Sequence, residues 1–307
     1  MMQALKGSLV ALVTPMTMSG DIDYESLKHL IDWHIDQGTD GIVSVGTTGE
    51  SATVNITEHI KVIEYTVKCA NSRIPVIAGT GANSTLEAIE LTMESKRVGA
   101  DCALIVTPYY NKPNQEGLIQ HYTKIADEID IPQILYNVPS RTACDLLPSS
   151  VEILSGHKNI VGIKEAVDSK ERIDALIAIS SKSKDFLIFS GDDPTFLQMI
   201  KKGGDGVISV AANVVPNYIS KICAFAKNNQ FDEAIEIDNL LSDLYDLLFI
   251  ESNPIPVKWM LYKMNLIKTP LDTFSKALIC SCVNVIGILK SLILMSKKSS
   301  LSSHFVR

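Results

Sequence analysis

The sequence predicts an α/β protein, a (β/α)8 TIM barrel with a C-terminal helical extension, and three observations lead there. Short runs rich in Val, Ile, Leu and Ala alternate with longer amphipathic stretches about eight times before residue 230. Each run is nearly continuous in apolar residues, the pattern of a parallel strand covered on both faces. After residue 230 the strand-like runs stop and only helical spacing continues. Eight strand and helix units favour a closed barrel over an open doubly wound sheet.

Strands are placed at residues 9–15, 41–45, 75–79, 102–107, 132–137, 160–165, 186–190 and 206–211. Helices at 24–37, 57–69, 85–98 and 115–128 have apolar residues at helical spacing behind polar residues suited to capping. Beyond the barrel, 231–250, 255–264 and 275–295 read as helices. No linker or low-complexity stretch interrupts the first 230 residues. The expected division is therefore a barrel over 1–230, a helical extension over 231–296, and a frayed, disordered Ser/Lys-rich tail over 297–307.

At 307 residues, 46% hydrophobic and 21% charged, the chain has the composition of a soluble globular protein with one large core. Its formal net charge of -7 argues against nucleic acid or an anionic membrane surface as partner, because both select clustered Lys and Arg. Small molecules are the expected partners. The stretch 277–289 is too short to span a bilayer, contains Asn284, and is flanked by Lys276 and Lys290; it reads as a buried or oligomer-facing helix. The apolar run 9–13 behind Lys6 is too short for a secretory signal core. Cys69, Cys102, Cys144, Cys223, Cys280 and Cys282 form no CxxC pair and show no zinc-type spacing, so buried thiols, a cytoplasmic location and no metal site are expected.

In a barrel the chemistry lies at the carboxyl ends of the strands. The second strand is followed by Gly46-Thr47-Thr48-Gly49-Glu50, whose N–H groups and hydroxyls suit a carboxylate, although an ordinary glycine-rich turn would read the same way. The fourth strand ends in Thr107-Pro108-Tyr109-Tyr110-Asn111 and the fifth in Tyr136-Asn137-Val138-Pro139-Ser140-Arg141-Thr142. Two tyrosine hydroxyls beside an arginine could relay protons near a bound anion, or could simply cap the barrel. In the sixth strand Lys164 interrupts an apolar segment and shares a face with Gly162, which is expected to leave room for the side chain. If that face is the interior, scarce water lowers the amine's pKa and frees it to attack a carbonyl; a strand-end lysine reaching out to solvent is the alternative. After the seventh strand, Asp193 before Pro194 reads as a helix cap, and Gly191 permits close approach of a ligand.

Taken together, GSLVALVTPM, GTTGESAT, PVIAGTGANST, PYYNKPNQEGL, YNVPSRT, VGIKEA, SGDD, GVISVAANV and NPIPVKW occur in an order that resembles the dihydrodipicolinate synthase family from residue 5 to about 265. The resemblance implies a Schiff-base-forming, class I aldolase-type lyase that condenses pyruvate with L-aspartate 4-semialdehyde in lysine and diaminopimelate biosynthesis. It implies a homotetramer built from two tight dimers and no metal or organic cofactor, because a protonated imine is itself an electron sink. It also implies roles. Lys164 is the nucleophile, and Tyr136, Thr47 and Tyr110 form a proton relay in which Tyr110 comes from the neighbouring subunit. Thr47 and Thr48 hold the pyruvate carboxylate, Arg141 binds the semialdehyde's carboxylate, and Gly191 and Ile208 give backbone contacts near the amine.

Ser51, Ala52, His59, Asn83, Glu87 and Tyr109 match the family's site for L-lysine as a feedback effector, with Ile56 standing where sensitive relatives often carry histidine. Residues 267–272 depart from the family's Arg-Leu-Pro-Leu-type segment. A sialic acid or 2-keto-3-deoxy sugar acid aldolase would share the lysine, tyrosine and glycine turn, but usually lacks the arginine found here as Arg141. A barrel that binds without turnover would not need this full set of groups.

Overall fold

The computed structural model describes residues 5–183 and 185–270. Eight parallel strands close into a barrel in sequence order: β1 (Gly7–Ala11), β2 (Gly41–Ser44), β3 (Val76–Gly79), β4 (Cys102–Val106), β5 (Gln133–Asn137), β6 (Ile160–Glu165), β7 (Leu187–Ser190) and β8 (Gly206–Ser209). Around them run α1 (Tyr24–Asp36), α2 (Ile56–Ala70), α3 (Thr85–Arg97), α4 (Gln115–Glu128), α5 (Pro139–Thr142), α6 (Pro148–Leu154), α7 (Lys170–Lys182), α8 (Phe196–Lys201) and α9 (Pro216–Lys227). Two further helices, α10 (Phe231–Leu247) and α11 (Ile255–Lys263), follow the barrel. The expected helix at 275–295 and tail at 297–307 lie outside the described residues.

Local sequence explains where these helices begin. Asp23, Asn55, Ser84, Asn114 and Ser169 each accept an N–H of the first turn of α1, α2, α3, α4 and α7, satisfying donors that have no partner within the helix. The first strand begins and ends earlier than expected. Gly7 pairs with Gly206, and a Cβ on Gly7 would meet an Asp40 carboxylate oxygen at 2.3 Å, so glycine allows the ladder to start there. The Leu12 N–H makes the last bond to β2, at the Val43 carbonyl; residues 13–15 stay buried beyond the ladder, and the Val13 N–H goes to Asn213 Oδ1 instead.

Side chains fill the barrel rather than leaving a pore. Leu9, Ala11, Val43, Ile77, Cys102, Leu104, Ile134, Leu187, Phe189 and Ile208 form one interior cluster. Separate clusters pack the outer strand faces against the helices, so every strand is apolar on both sides. Cys102, Cys144 and Cys223 are buried and Cys69 is half-buried, all as free thiols, while Cys280 and Cys282 lie outside the described residues. Among the described residues no helix is long and apolar enough to cross a membrane.

Candidate active site

The carboxyl ends of β2, β5, β6 and β7 open into a cleft of about 620 Å³ whose walls include Thr47, Thr48, Tyr136, Arg141, Lys164 and Gly191. Residues from four separate stretches of sequence are brought together because each stands at, or just after, the same end of a barrel strand. Lys164 points inward, as the alternation along β6 requires, and is only 5% exposed. Its register partner on β5 is Tyr136, and Lys164 Nζ lies 4.3 Å from the centroid of that ring. At this distance the ring's negative face attracts an ammonium, and the phenol is held against the stem of the lysine.

Glycine does make room for Lys164, but it is not Gly162. A Cβ on Gly162 would meet the Leu187 carbonyl oxygen at 2.6 Å, so that glycine admits the neighbouring strand. A Cβ on Gly191 would sit 2.9 Å from Lys164 Cε and 3.1 Å from its Cγ. Gly191 is therefore the residue whose missing side chain houses the lysine.

The turn after β2 supplies donors. Thr47 and Thr48 both border the cleft, and their N–H groups have no backbone acceptor among the described residues. Thr48 Oγ1 accepts a 2.9 Å hydrogen bond from Asn253 Nδ2, and Glu50 in the same turn forms a buried 2.6 Å ion pair with Lys258. Asp192 borders the cleft as well, and burial raises its carboxyl above the usual range.

Asp193 is not a helix cap. It is buried and accepts from Ser209 Oγ and from the Val210 and Ala211 N–H groups, which ties the β7 loop to β8. Thr195 stands at the N-cap of helix α8, which has no side-chain cap. Ile208 belongs to the interior cluster, and the cleft wall on that side is Val210.

Directly behind Tyr136 and Lys164, on the outer face of the sheet, sits a polar network formed by the residues that follow them. Asn137 Nδ2 donates to Glu165 Oε1 at 3.0 Å and to Asp145 Oδ1 at 2.9 Å. Arg172 reaches Glu165 at 3.1 Å, Asp145 at 2.5 Å and the Leu146 carbonyl at 3.0 Å. Burial pushes the Glu165 carboxyl up to about 7, against the pull of the Arg172 charge. The only sequence signal for this network is that Asn137 and Glu165 each follow a cleft residue and so face the other way.

Tyr110 stands apart from the cleft of its own chain and is 86% exposed. Its N–H and that of Tyr109 both donate to Asn83 Oδ1, at 3.0 and 2.8 Å. Ser51, Ala52 and Tyr109 border a smaller cavity of about 210 Å³ that Thr47 and Arg141 also line. Burial, with help from the Glu87 charge, raises the Tyr109 phenol above its ordinary value. His59 is buried with its Nε2 2.7 Å from the Gly79 carbonyl, and burial holds its pKa below the usual range.

Residues 4–273 match the model of the dihydrodipicolinate synthetase family. A 4-hydroxy-tetrahydrodipicolinate synthase of Pseudomonas syringae pv. syringae is 55% identical over 277 residues, covering 89% of this chain and 94% of that one. The crystal structure of a chloride-inhibited dihydrodipicolinate synthase from Acinetobacter baumannii, complexed with pyruvate, is 47% identical with a TM-score of 0.86 and covers 94% of this chain and 97% of that one. A dihydrodipicolinate synthase from Cyanidioschyzon merolae with lysine bound is 33% identical with a TM-score of 0.86, covering 95% of this chain and 98% of that one. Family model, sequence relatives and solved structures agree, and the chain belongs to the dihydrodipicolinate synthetase family.

Proposed function

We propose that the chain condenses pyruvate with L-aspartate 4-semialdehyde to 4-hydroxy-tetrahydrodipicolinate, with Lys164 as the covalent nucleophile. The observation that carries this reading is the amine of Lys164, held at the floor of the cleft 4.3 Å from the Tyr136 ring. The amine adds to the keto carbon of pyruvate and loses water to give an imine. Tyr136, assisted by Thr47, moves the proton released when the methyl carbon becomes the enamine. That carbon attacks the aldehyde, and the acceptor's own amine then displaces Lys164 from the imine and closes the ring.

Thr47 and Thr48 bind the pyruvate carboxylate, and the Arg141 guanidinium at the rim takes the carboxylate of the semialdehyde. Gly191 and Ile208 give the backbone contacts around the amine. Borohydride reduction in the presence of pyruvate tests the reading: a mass increase located on Lys164 is expected, and its absence would remove the covalent role. Coupled assays with aspartate semialdehyde and with N-acetylneuraminate separate this activity from that of a sugar-acid aldolase.

Two finer features belong to the same reading. Tyr110 completes the proton relay of a second copy within a tight dimer of a homotetramer, a role supported by its exposure away from its own cleft. Ser51, Ala52, His59, Asn83, Glu87 and Tyr109 form an L-lysine effector site, with the Glu87 carboxylate facing the effector's ammonium. Full activity in millimolar lysine would remove that site. The free thiols of the described residues fit a reducing, cytoplasmic compartment.

A further inference from the structure

The segment between α10 and α11 forms part of the cleft wall, and one contact from it and one from α11 reach back to the turn after β2. Asn253 Nδ2 donates to Thr48 Oγ1 at 2.9 Å across 205 residues, and Lys258 Nζ pairs with Glu50 Oε1 at 2.6 Å across 208 residues. All four residues are buried. The second contact anchors the turn, while the first acts on a hydroxyl that borders the cleft.

A threonine hydroxyl has one proton and two lone pairs. When an amide N–H occupies a lone pair, the hydroxyl's own proton turns elsewhere and the polarised O–H becomes a stronger donor. A carboxylate accepts hydrogen bonds and donates none. Asn253 Oδ1 has no hydrogen-bond partner among the described residues. Turning the amide over would instead strand a buried NH2, and stranded N–H groups are rarer than under-satisfied carbonyls. The donating orientation is therefore favoured.

We propose that Asn253 is a positioning residue that presets the Thr48 hydroxyl as a donor to the carboxylate of pyruvate, so that helices outside the barrel help to set the enzyme's affinity for its keto acid. The inference rests on Thr48 being a holder of that carboxylate. It places Asn253 among the determinants of substrate binding without contact between Asn253 and the reacting atoms.

The test is a double-mutant cycle on the full chain, with KM for pyruvate, kcat and thermal melting measured for each variant. Thr48→Val is expected to raise KM for pyruvate. Asn253→Ala is expected to raise it about tenfold, the worth of one hydrogen bond to a charged group, with a smaller change in kcat. Because Asn253 acts through Thr48, the double variant should be no worse than Thr48→Val alone. Asn253→Asp adds a pH signature. Its ionised carboxylate captures the Thr48 proton and its protonated form donates as the amide does, so KM for pyruvate should rise with pH in this variant alone.

Multiplying effects of the two single substitutions, or a lower melting temperature of Asn253→Ala with KM for pyruvate unchanged, would overturn the inference. If Thr48→Val itself leaves KM for pyruvate unchanged, the assignment of Thr48 has failed, which is a separate outcome. Should Asn253→Ala not fold, Asn253→Ser carries the same cycle, since its shorter side chain gives up the amide donor.

Discussion

Tyr136 and Lys164 are register partners on adjacent strands, with the lysine nitrogen 4.3 Å from the centre of the tyrosine ring. The pairing makes separable predictions for the two side chains. Lys164→Ala should lose roughly 10⁴-fold or more of kcat, as removal of a covalent nucleophile does, while circular dichroism and melting behaviour stay close to the parent. Tyr136→Phe keeps the ring and removes the hydroxyl proposed to carry the proton, so kcat should fall by about 10²–10⁴ while the borohydride-trapped pyruvate adduct still forms. A Tyr136→Phe enzyme with parental kcat would contradict the proton-transfer role.

Arg141 borders both the main cleft, which Lys164 also lines, and the smaller cavity beside it. In the proposed reaction its guanidinium serves the second substrate rather than the first. Arg141→Ala should lower kcat/KM for aspartate semialdehyde by about tenfold or more, corresponding to about 1.4 kcal/mol, and leave KM for pyruvate within a factor of a few. Steady-state titration of each substrate at saturating concentrations of the other checks this. Equal losses for both substrates would mean that the arginine serves the turn as a whole.

Much of this could be read in the sequence, for physical reasons that also mark where the reading stops. Helix α4 falls at the expected residues because Asn114 caps it and its apolar spacing is regular. Lys164 is legible because a cation is costly inside an otherwise apolar strand. Helices α5 and α6 carry little sequence signal because each is short, starts at proline and has no side-chain cap. At Asp193 the local Asp-Pro signal for a helix cap is overridden by Ser209 and the backbone of residues 210–211, partners that only barrel closure supplies. The Asn253 to Thr48 contact spans 205 residues and no local pattern encodes it.

The network behind the site predicts a pH dependence. A glutamate carboxyl ordinarily titrates near 4.5, and burial pushes that of Glu165 up to about 7 in the folded protein. Between those values the folded state holds more protons than the unfolded state, so this group makes stability fall as pH rises through the window and level off above it. The slope can reach about 1.4 kcal/mol per pH unit. Glu165→Gln removes the titration and also loses an acceptor for Asn137, Arg172 or the Val167 N–H. The parent should therefore exceed the variant most at pH 5, and the gap should narrow by pH 8 in chemical denaturation. A gap of constant size across that range would show that Glu165 is already ionised at the lower pH.

Glu50 and Lys258 are 1% and 0% exposed and meet at 2.6 Å, linking the turn after β2 to α11. Removing one member of a buried pair leaves the other charge in a poorly solvating interior, which typically costs about 3–5 kcal/mol, whereas replacing both with apolar groups can be close to neutral. Lys258→Met should therefore lower unfolding free energy by about that amount, and adding Glu50→Leu should restore part of it. The two variants should part company in catalysis. Stability can return in the double variant, but the turn that presents Thr47 and Thr48 has lost its polar anchor, so KM for pyruvate should stay raised. Denaturant titrations beside pyruvate kinetics check both halves; recovery of KM together with stability would mean that the pair serves the core alone.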